Sequence, residues 1–325
     1  MRVKYALGAV VLTILSGCSE VEPPDITTGR VGLYSGARDV DAANDRVGSL
    51  RFLAGFEIVG GDDRLGGLSG MAVAPDGRGM LAVSDRGDWV RLDFAMRDGL
   101  PTGIAAIAYA PLADQAEALL VEPDGVLVAF EEAHRIDLWR SPDAVGGFPG
   151  WTATPPESLP LPAGVEDAGG NSGIEAMARL ADDRLLIFLE GESEPNDRRM
   201  ARQGWILDGD SAEEVTLLTA GGFRPTDAAT LPDGDVLVLL RCWASCGFRS
   251  EAKIVRLAAE DIAAGARLTG ETIAHLASPM TVDNYEGLAV RRDAAGRTLV
   301  YLLSDDNFNP RQRSLFMLFA LAAGV

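Results

Sequence analysis

Leu68-Ser69-Gly70-Met71-Ala72-Val73 is followed by the turn Pro75-Asp76-Gly77 and then by Met80-Leu81-Ala82-Val83-Ser84-Asp85. Two short apolar runs joined by such a turn read as a β-hairpin. The unit recurs four times downstream. Ala116-Glu117-Ala118-Leu119-Leu120 and Val126 to Glu131 flank Pro123-Asp124-Gly125, and Ile174-Glu175-Ala176-Met177 and Leu185 to Glu190 flank Asp182-Asp183. Thr226-Asp227-Ala228-Ala229 and Val236 to Arg241 flank Pro232-Asp233-Gly234, and Tyr285 to Val290 and Thr298 to Asp305 flank Ala295-Gly296. Ser69, Glu117, Glu175, Asp227 and Glu286 open the units, at spacings of 48, 58, 52 and 59 residues.

Each unit has room for two further strands after its hairpin. Trp89 to Leu92 and Ile104 to Tyr109 fill it in the first, and Lys253 to Leu257 and Thr272 to Leu276 in the fourth. Four antiparallel strands repeated radially make a β-propeller. The expected fold is therefore all-β, a propeller of five four-stranded blades. Six blades and a β-sandwich are the alternatives, although a sandwich would not account for the repeat. The fifth unit lacks an outer strand after Leu315 to Leu321, and the orphan run Leu50 to Val59 would supply it and close the ring. The only helical expectation is a short one at 258–266.

The 325 residues carry 48 Asp+Glu against 29 Lys+Arg, a net charge of −19, with 2 His and 3 Cys. That balance argues against a nucleic-acid partner, because phosphate backbones attract basic patches. Two histidines make a His-rich transition-metal site a poor expectation. Arg2 and Lys4 precede an apolar run of ten residues, Ala6 to Leu15, and then Ser16-Gly17-Cys18. Ten is too few to span a bilayer, which takes about 20. Small residues before a cysteine resemble a bacterial lipoprotein signal. The expected organisation is a signal over 1–17, a tether and lead-in over 18–48 starting at a lipidated Cys18, and a propeller over 49–325. The expected location is the periplasmic face of the outer membrane of a bacterial envelope, with a monomer held to the membrane through Cys18. An ordinary secretory signal is the alternative. Cys242 and Cys246, four residues apart, are expected to form a loop-pinning disulfide; free thiols or a metal pair are the alternatives.

A hairpin brings the start of its first strand beside the end of its second, and a propeller's first strands line the central channel. One channel mouth should therefore gather Ser69, Glu117, Glu175, Asp227 and Glu286 with Asp85, Glu131, Glu190, Arg241 and Asp305. Eight of these ten are carboxylates, and like charges so close need compensation. Calcium would supply it, taking six to eight oxygen ligands. The expected metal ligands are Asp85, Glu190, Asp227, Glu286, Asp305, Asp306 and Asn307. Arg86, Arg135 and Arg241 would supply charge compensation instead, or as well. The alternative is a wet channel whose acids cap backbone N–H groups and pair with those arginines. His134, in Glu131-Glu132-Ala133-His134-Arg135, is a candidate general acid or base. Ser69 does not sit in a Gly-x-Ser-x-Gly elbow.

Several segments together resemble the phytase-like family, described by esterase-like activity. They are Gly66-Gly67-Leu68-Ser69-Gly70, Val83-Ser84-Asp85-Arg86-Gly87, Phe130-Glu131 with His134-Arg135-Ile136, Gly173-Ile174-Glu175-Ala176, Asp283-Asn284-Tyr285-Glu286-Gly287 and Ser304-Asp305-Asp306-Asn307-Phe308 followed by Gln312. The resemblance covers roughly 48–321. It implies an exported propeller with phosphoester-hydrolase or esterase activity. The chain departs from the family pattern at Gln115-Ala116-Glu117-Ala118, where Asp usually precedes the Glu and Gly follows it.

The expected function is hydrolysis of a small phosphoester or related ester by metal-activated water. Glu131, Glu175, Arg86, Arg135, Arg241 and His134 are the candidate catalytic residues. A lactonase-type or carboxylic-ester hydrolase on the same scaffold is one alternative. A non-catalytic binding propeller of the envelope is another.

Overall fold

The computed structural model describes residues 26–36, 44–112, 114–130, 133–166, 173–192 and 201–322. Cys18, the signal segment and Glu131 lie outside them, as do parts of the charged loop 191–203 and of the stretch 141–172. Five antiparallel sheets follow one another along the chain. Blade 1 runs through Leu68–Val73, Gly79–Ser84, Asp88–Arg97 and Leu100–Pro111. Blade 2 has Ala116–Glu122, Gly125–Phe130, Arg135–Arg140 and a two-residue edge at Glu157–Ser158. Blade 3 has Ile174–Arg179, Leu185–Glu192, Ala201–Asp208 and Ser211–Leu218, with Arg267–Leu268 added in parallel. Blade 4 has Arg224–Thr230, Val236–Cys242, Glu251–Leu257 and Glu271–Leu276.

Blade 5 closes the ring. Asn284–Arg292, Thr298–Asp305 and Ser314–Leu321 come from the end of the chain, and Leu50–Gly60 comes from its start. Pairing runs from Ser314 opposite Ile58 to Leu321 opposite Leu50. The orphan run thus fills its expected place.

Two expectations need correction. The stretch 258–266 holds only a single 3₁₀ turn, Ala259–Asp261; Gly265 disfavours a continuing helix, and Ile262 is the one large apolar side chain it could bury. The lead-in is also more than a tether. Ile26–Arg30 adds to the edge of blade 5 by pairing with Phe56 to Gly60, and the Thr281 hydroxyl donates to the Gly32 carbonyl at 2.7 Å.

The second strand of each blade explains why the repeat was so apolar. Both of its faces meet neighbouring blades, so it reads as a continuous run rather than an alternation. Gly79–Ser84 and Gly125–Phe130 are buried at every residue. Five apolar clusters fill the five gaps between adjacent blades.

The five first strands share one irregularity. Each skips one residue in pairing with its second strand, between Ser69 and Met71, Ala116 and Ala118, Ile174 and Ala176, Pro225 and Asp227, and Tyr285 and Gly287. The bulged residues are therefore Gly70, Glu117, Glu175, Thr226 and Glu286. A bulge bends the strand and re-aims its side chain.

Candidate functional site

The bulges revise the matched positions. Glu117, Glu175 and Glu286 are true equivalents, whereas Ser69 lies one residue before its bulge and Asp227 one residue after. Blade 1 cannot carry an acid at this place: a Cβ on Gly70 would come within 2.5 Å of the Leu119 backbone nitrogen. Asp305 opposes Asn284 and Arg241 opposes Arg224, while in blade 1 the matching partner of Leu68 is Ser84 and Asp85 lies one residue further.

Arg241 is the centre of the mouth. Its Nε lies 3.1 Å from Glu286 Oε1 and its Nη2 lies 3.2 Å from Glu190 Oε1. Burial works to lower its pKa, but the charges of Glu286, Glu190, Glu175 and Asp305 outweigh that and hold it above the usual arginine value. Its side chain keeps 26% of its exposure, although Nε itself is buried. Arg224 closes the second oxygen of Glu190 at 3.2 Å. Blades 3, 4 and 5 thus meet in one ion-pair network.

Blade 5 continues it toward blade 1. The Asn284 amide donates to Glu286 Oε1 at 2.8 Å and to Asp305 Oδ2 at 3.3 Å. The Asn307 backbone N–H donates to Asp305 Oδ1 at 2.7 Å. Burial, with the charges of Asp305 and Glu190 added and Arg241 opposing, raises Glu286 to about 8. Burial, with Asp85 and Asp306 added and the Asn307 amide opposing, raises Asp305 to about 7. Asp85 is raised to about 6 by burial and by Asp306, against the pull of Arg86. One oxygen each of Asp85 and Glu286 is buried without a hydrogen-bond partner.

Asp306 has a positioning task. Its Oδ1 accepts from the backbone N–H groups of Gly67 and Phe308, both at 3.0 Å, and its Oδ2 from the Ser314 hydroxyl at 3.1 Å. Gly67, at φ 56°, lies so near that a Cβ would overlap Asp85 Oδ1. The Gly66-Gly67 turn is thereby clamped between the acids of blades 1 and 5. Arg86 lies over the Phe308 ring, 3.3 Å from its centroid, and donates to the Asp63 carbonyl at 3.2 Å. It stands between two open depressions of about 640 and about 440 Å³.

Other expected residues have different surroundings. Asp227 is buried, with Oδ1 accepting from the Ala228 N–H at 2.8 Å and Oδ2 from the Leu288 N–H at 2.6 Å. It staples blade 4 to blade 5, and both oxygens are used in doing so. Arg135 is held by Asp137 and Asp114, each at 2.8 Å, and covers the Phe130 ring. His134 sits in a left-handed turn at φ 41°, its Nδ1 buried and without a partner, and no hydrogen bond or ion pair joins it to the described acids. The Ser69 hydroxyl donates to Glu117 at 3.3 Å, linking blades 1 and 2. Asn307 is exposed and contributes its backbone. Cys242 and Cys246 are joined in a disulfide.

The expected calcium cradle is not assembled among the described residues, where no group of three or more His, Cys, Asp or Glu is placed to hold a metal ion. Asp227 and Asp306 spend their oxygens on hydrogen bonds within the fold. Glu190 spends its own on two arginines, and Glu286 Oε1 is taken by Arg241 and Asn284. Arginine supplies the positive charge that the acids require. Arg224 and Asn284 were not singled out as site residues from the sequence. Asn284 had a signal, being two residues before Glu286; Arg224 had none, because its role depends on facing another blade.

Comparison with known proteins gives one family and a general likeness of shape. A family model described as "Phytase-like: Esterase-like activity of phytase" matches residues 63–308. No curated protein matches the chain. Among solved structures, an endo-arabinase from Bacteroides thetaiotaomicron is 12% identical over 78% of this chain and 93% of its own, with a TM-score of 0.45. A gluconolactonase from Xanthomonas campestris is 11% identical over 93% and 96%, with a TM-score of 0.42. The Cps50 (Swd1) β-propeller domain of Myceliophteria thermophila is 11% identical over 90% and 98%, with a TM-score of 0.41.

Proposed function

The chain belongs to the phytase-like family, and from that premise we propose that it hydrolyses an ester or phosphoester at the mouth centred on Arg241. The observation that carries this reading is the largely buried Arg241, held by carboxylates from blades 3 and 5 beside two acids bridged by one amide. Asp305 and Glu286 are raised toward neutrality and titrate as a coupled pair. Near pH 7 such a pair keeps one proton and one negative charge. The charged member accepts the proton of an attacking water; the protonated member gives one to the departing alkoxide. Arg241, with Arg224 across Glu190 from it, offsets the negative charge that grows on the carbonyl or phosphoryl oxygens. An acidic protein needs such a local cluster to accept an anionic substrate.

Calcium is the cofactor suggested by the sequence. Only Asp85 Oδ1 and Glu286 Oε2 remain as buried, unpartnered carboxylate oxygens of the expected set, against the six to eight oxygen ligands that calcium takes. Anchoring at the periplasmic face of the outer membrane through Cys18 is part of the same proposal; loss of membrane association in a Cys18→Ala variant would support it.

The test is turnover of phenyl phosphate, phenyl acetate and a six-membered lactone by the full chain, with and without chelator. Ester or phosphoester turnover that survives chelator and is abolished in Arg241→Met supports the reading. Turnover that requires calcium moves the chemistry to a bound ion. Turnover of the lactone alone favours the lactonase alternative. No turnover of any of the three leaves a binding propeller.

A further inference from the structure

Trp243 and Phe248 are the most conspicuous exposed rings, 51% and 70% accessible. They belong to the loop that directly follows Arg241. The Cys242–Cys246 disulfide closes its base, and the N–H groups of Cys246 and Phe248 both donate to the Trp243 carbonyl at 3.1 Å. Ser245 packs over Gly222, in the turn that leads into Arg224, and Cys242 Sγ lies 3.4 Å from the Gly221 carbonyl. The loop therefore sits at the arginine end of blade 4. Trp243 is two residues from Arg241, at most about 7 Å along an extended chain.

The rings are held, not merely left outside. Phe248 adopts φ 59°, a left-handed conformation that a bulky residue rarely takes. The two rings meet edge to face, with centroids 6.2 Å apart. A strained backbone that turns an aromatic side chain toward solvent, braced by a disulfide, is costly unless the ring has a use there.

We propose that Trp243 and Phe248 form a ring-binding platform, which accepts the flat aromatic or pyranose face of an ester substrate whose anionic or carbonyl group lies at Arg241 and Arg224. This deepens the hydrolase reading and rests on it for where the reactive group sits. Arg224, 47% exposed and bound on one side to Glu190, stands two residues beyond Gly222 of the loop's supporting turn. The selected substrate is therefore amphipathic: a flat face on the rings and a charged or polar ester on the arginines. Aromatic stacking of this kind is worth about tenfold in affinity.

The other four tryptophans, Trp89, Trp139, Trp151 and Trp205, are buried at 0%, 5%, 7% and 2% exposure. Acrylamide therefore reports on Trp243. Phenyl phosphate and methyl phosphate are titrated into the full chain while quenching is followed. The expected result is that phenyl phosphate shields Trp243, binds about tenfold more tightly than methyl phosphate, and loses that preference in Phe248→Ala. Trp243→Phe, followed by calorimetry, keeps it, and Trp243→Ala loses it. Equal binding of the two phosphates, no shielding by phenyl phosphate, or an undiminished preference in both alanine variants overturns the platform. So does a concentration-dependent dimer that Phe248→Ala dissolves, because the rings would then serve self-association. A ring preference without turnover removes the hydrolase reading and leaves the platform. Arg241-dependent turnover without a ring preference does the reverse.

Discussion

The two ends of the central channel are built from the same five strands and share little else. At one end Glu175, Glu190, Glu286 and Asp305 stand around Arg241. At the other, past the bulges, the strands continue as Met71-Ala72-Val73, Leu119-Leu120-Val121, Ala228-Ala229 and Leu288-Ala289-Val290, around a mostly apolar depression of about 510 Å³. The bulge is the divide. Before it, side chains are aimed at one mouth and the chain carries charge; after it, regular pairing resumes and small apolar residues pack the axis. A strand needs only one unpaired residue to change the chemistry it presents. The difference also shows in the arginines: Arg241 is wedged among several acids, whereas Arg179 at the far end has Glu122 and the Asp183 carbonyl.

The largest expected effect belongs to Arg241→Met. It leaves Glu286 buried without its cation and Glu190 with Arg224 alone, a loss of about 3 kcal/mol for a broken buried pair. Urea unfolding should show that loss, and ester turnover should vanish. An unchanged unfolding midpoint would mean that the mouth is solvated and the network incidental. Next in size is Asp227→Asn, at the divide itself. An amide cannot accept from both the Ala228 and Leu288 N–H groups, so one buried donor is stranded, at a cost of about 1–3 kcal/mol. Turnover by the folded fraction should stay near the parent level, which separates a staple from a catalytic acid.

The acids of the mouth also predict a graded effect of pH. Glu286 rises from 4.5 to about 8, Asp305 from 3.8 to about 7 and Asp85 from 3.8 to about 6. Between the unfolded and folded values the folded chain binds more protons, so stability falls as pH rises. Their contribution is complete below about pH 4 and is lost as pH climbs through about 6 to 8. Melting temperatures taken across that window should decline, and Glu286→Gln should flatten the decline. A profile that rises instead would show that the three carboxyl groups are ionised at little cost. The smallest effect belongs to the opposite mouth. Arg179→Met should cost about 1 kcal/mol or less, as partly exposed pairs do, and leave turnover unchanged. Loss of turnover there would end the division of labour between the mouths.

Much of this molecule was legible before any coordinates. Repeated hairpins with continuous apolar second strands gave five blades, because a strand sandwiched between neighbours has no solvent face to mark. The missing outer strand after Leu321 pointed to Leu50 to Val59 for closure. The site was legible only in outline. Matching hairpin to hairpin placed Asp227 with Glu175 and Glu286, and the single-residue bulge moves it to the next position, where it bonds backbone amides instead of facing the mouth. Asp85 was matched to Asp305 by sequence but lies one residue further along its strand. Nothing in the local sequence marks these shifts, since a bulge answers to the packing of adjacent blades, as the close approach of Gly70 to Leu119 shows.

Residue order alone set the number of units, their hairpins and the concentration of acids near the start of each channel strand, because these follow from patterns within about ten residues. Which acids hold protons, which brace the backbone and which meet an arginine was decided by the closed ring. Those properties depend on distances between blades some fifty residues apart, and on how far each carboxylate is withdrawn from water once the blades have met.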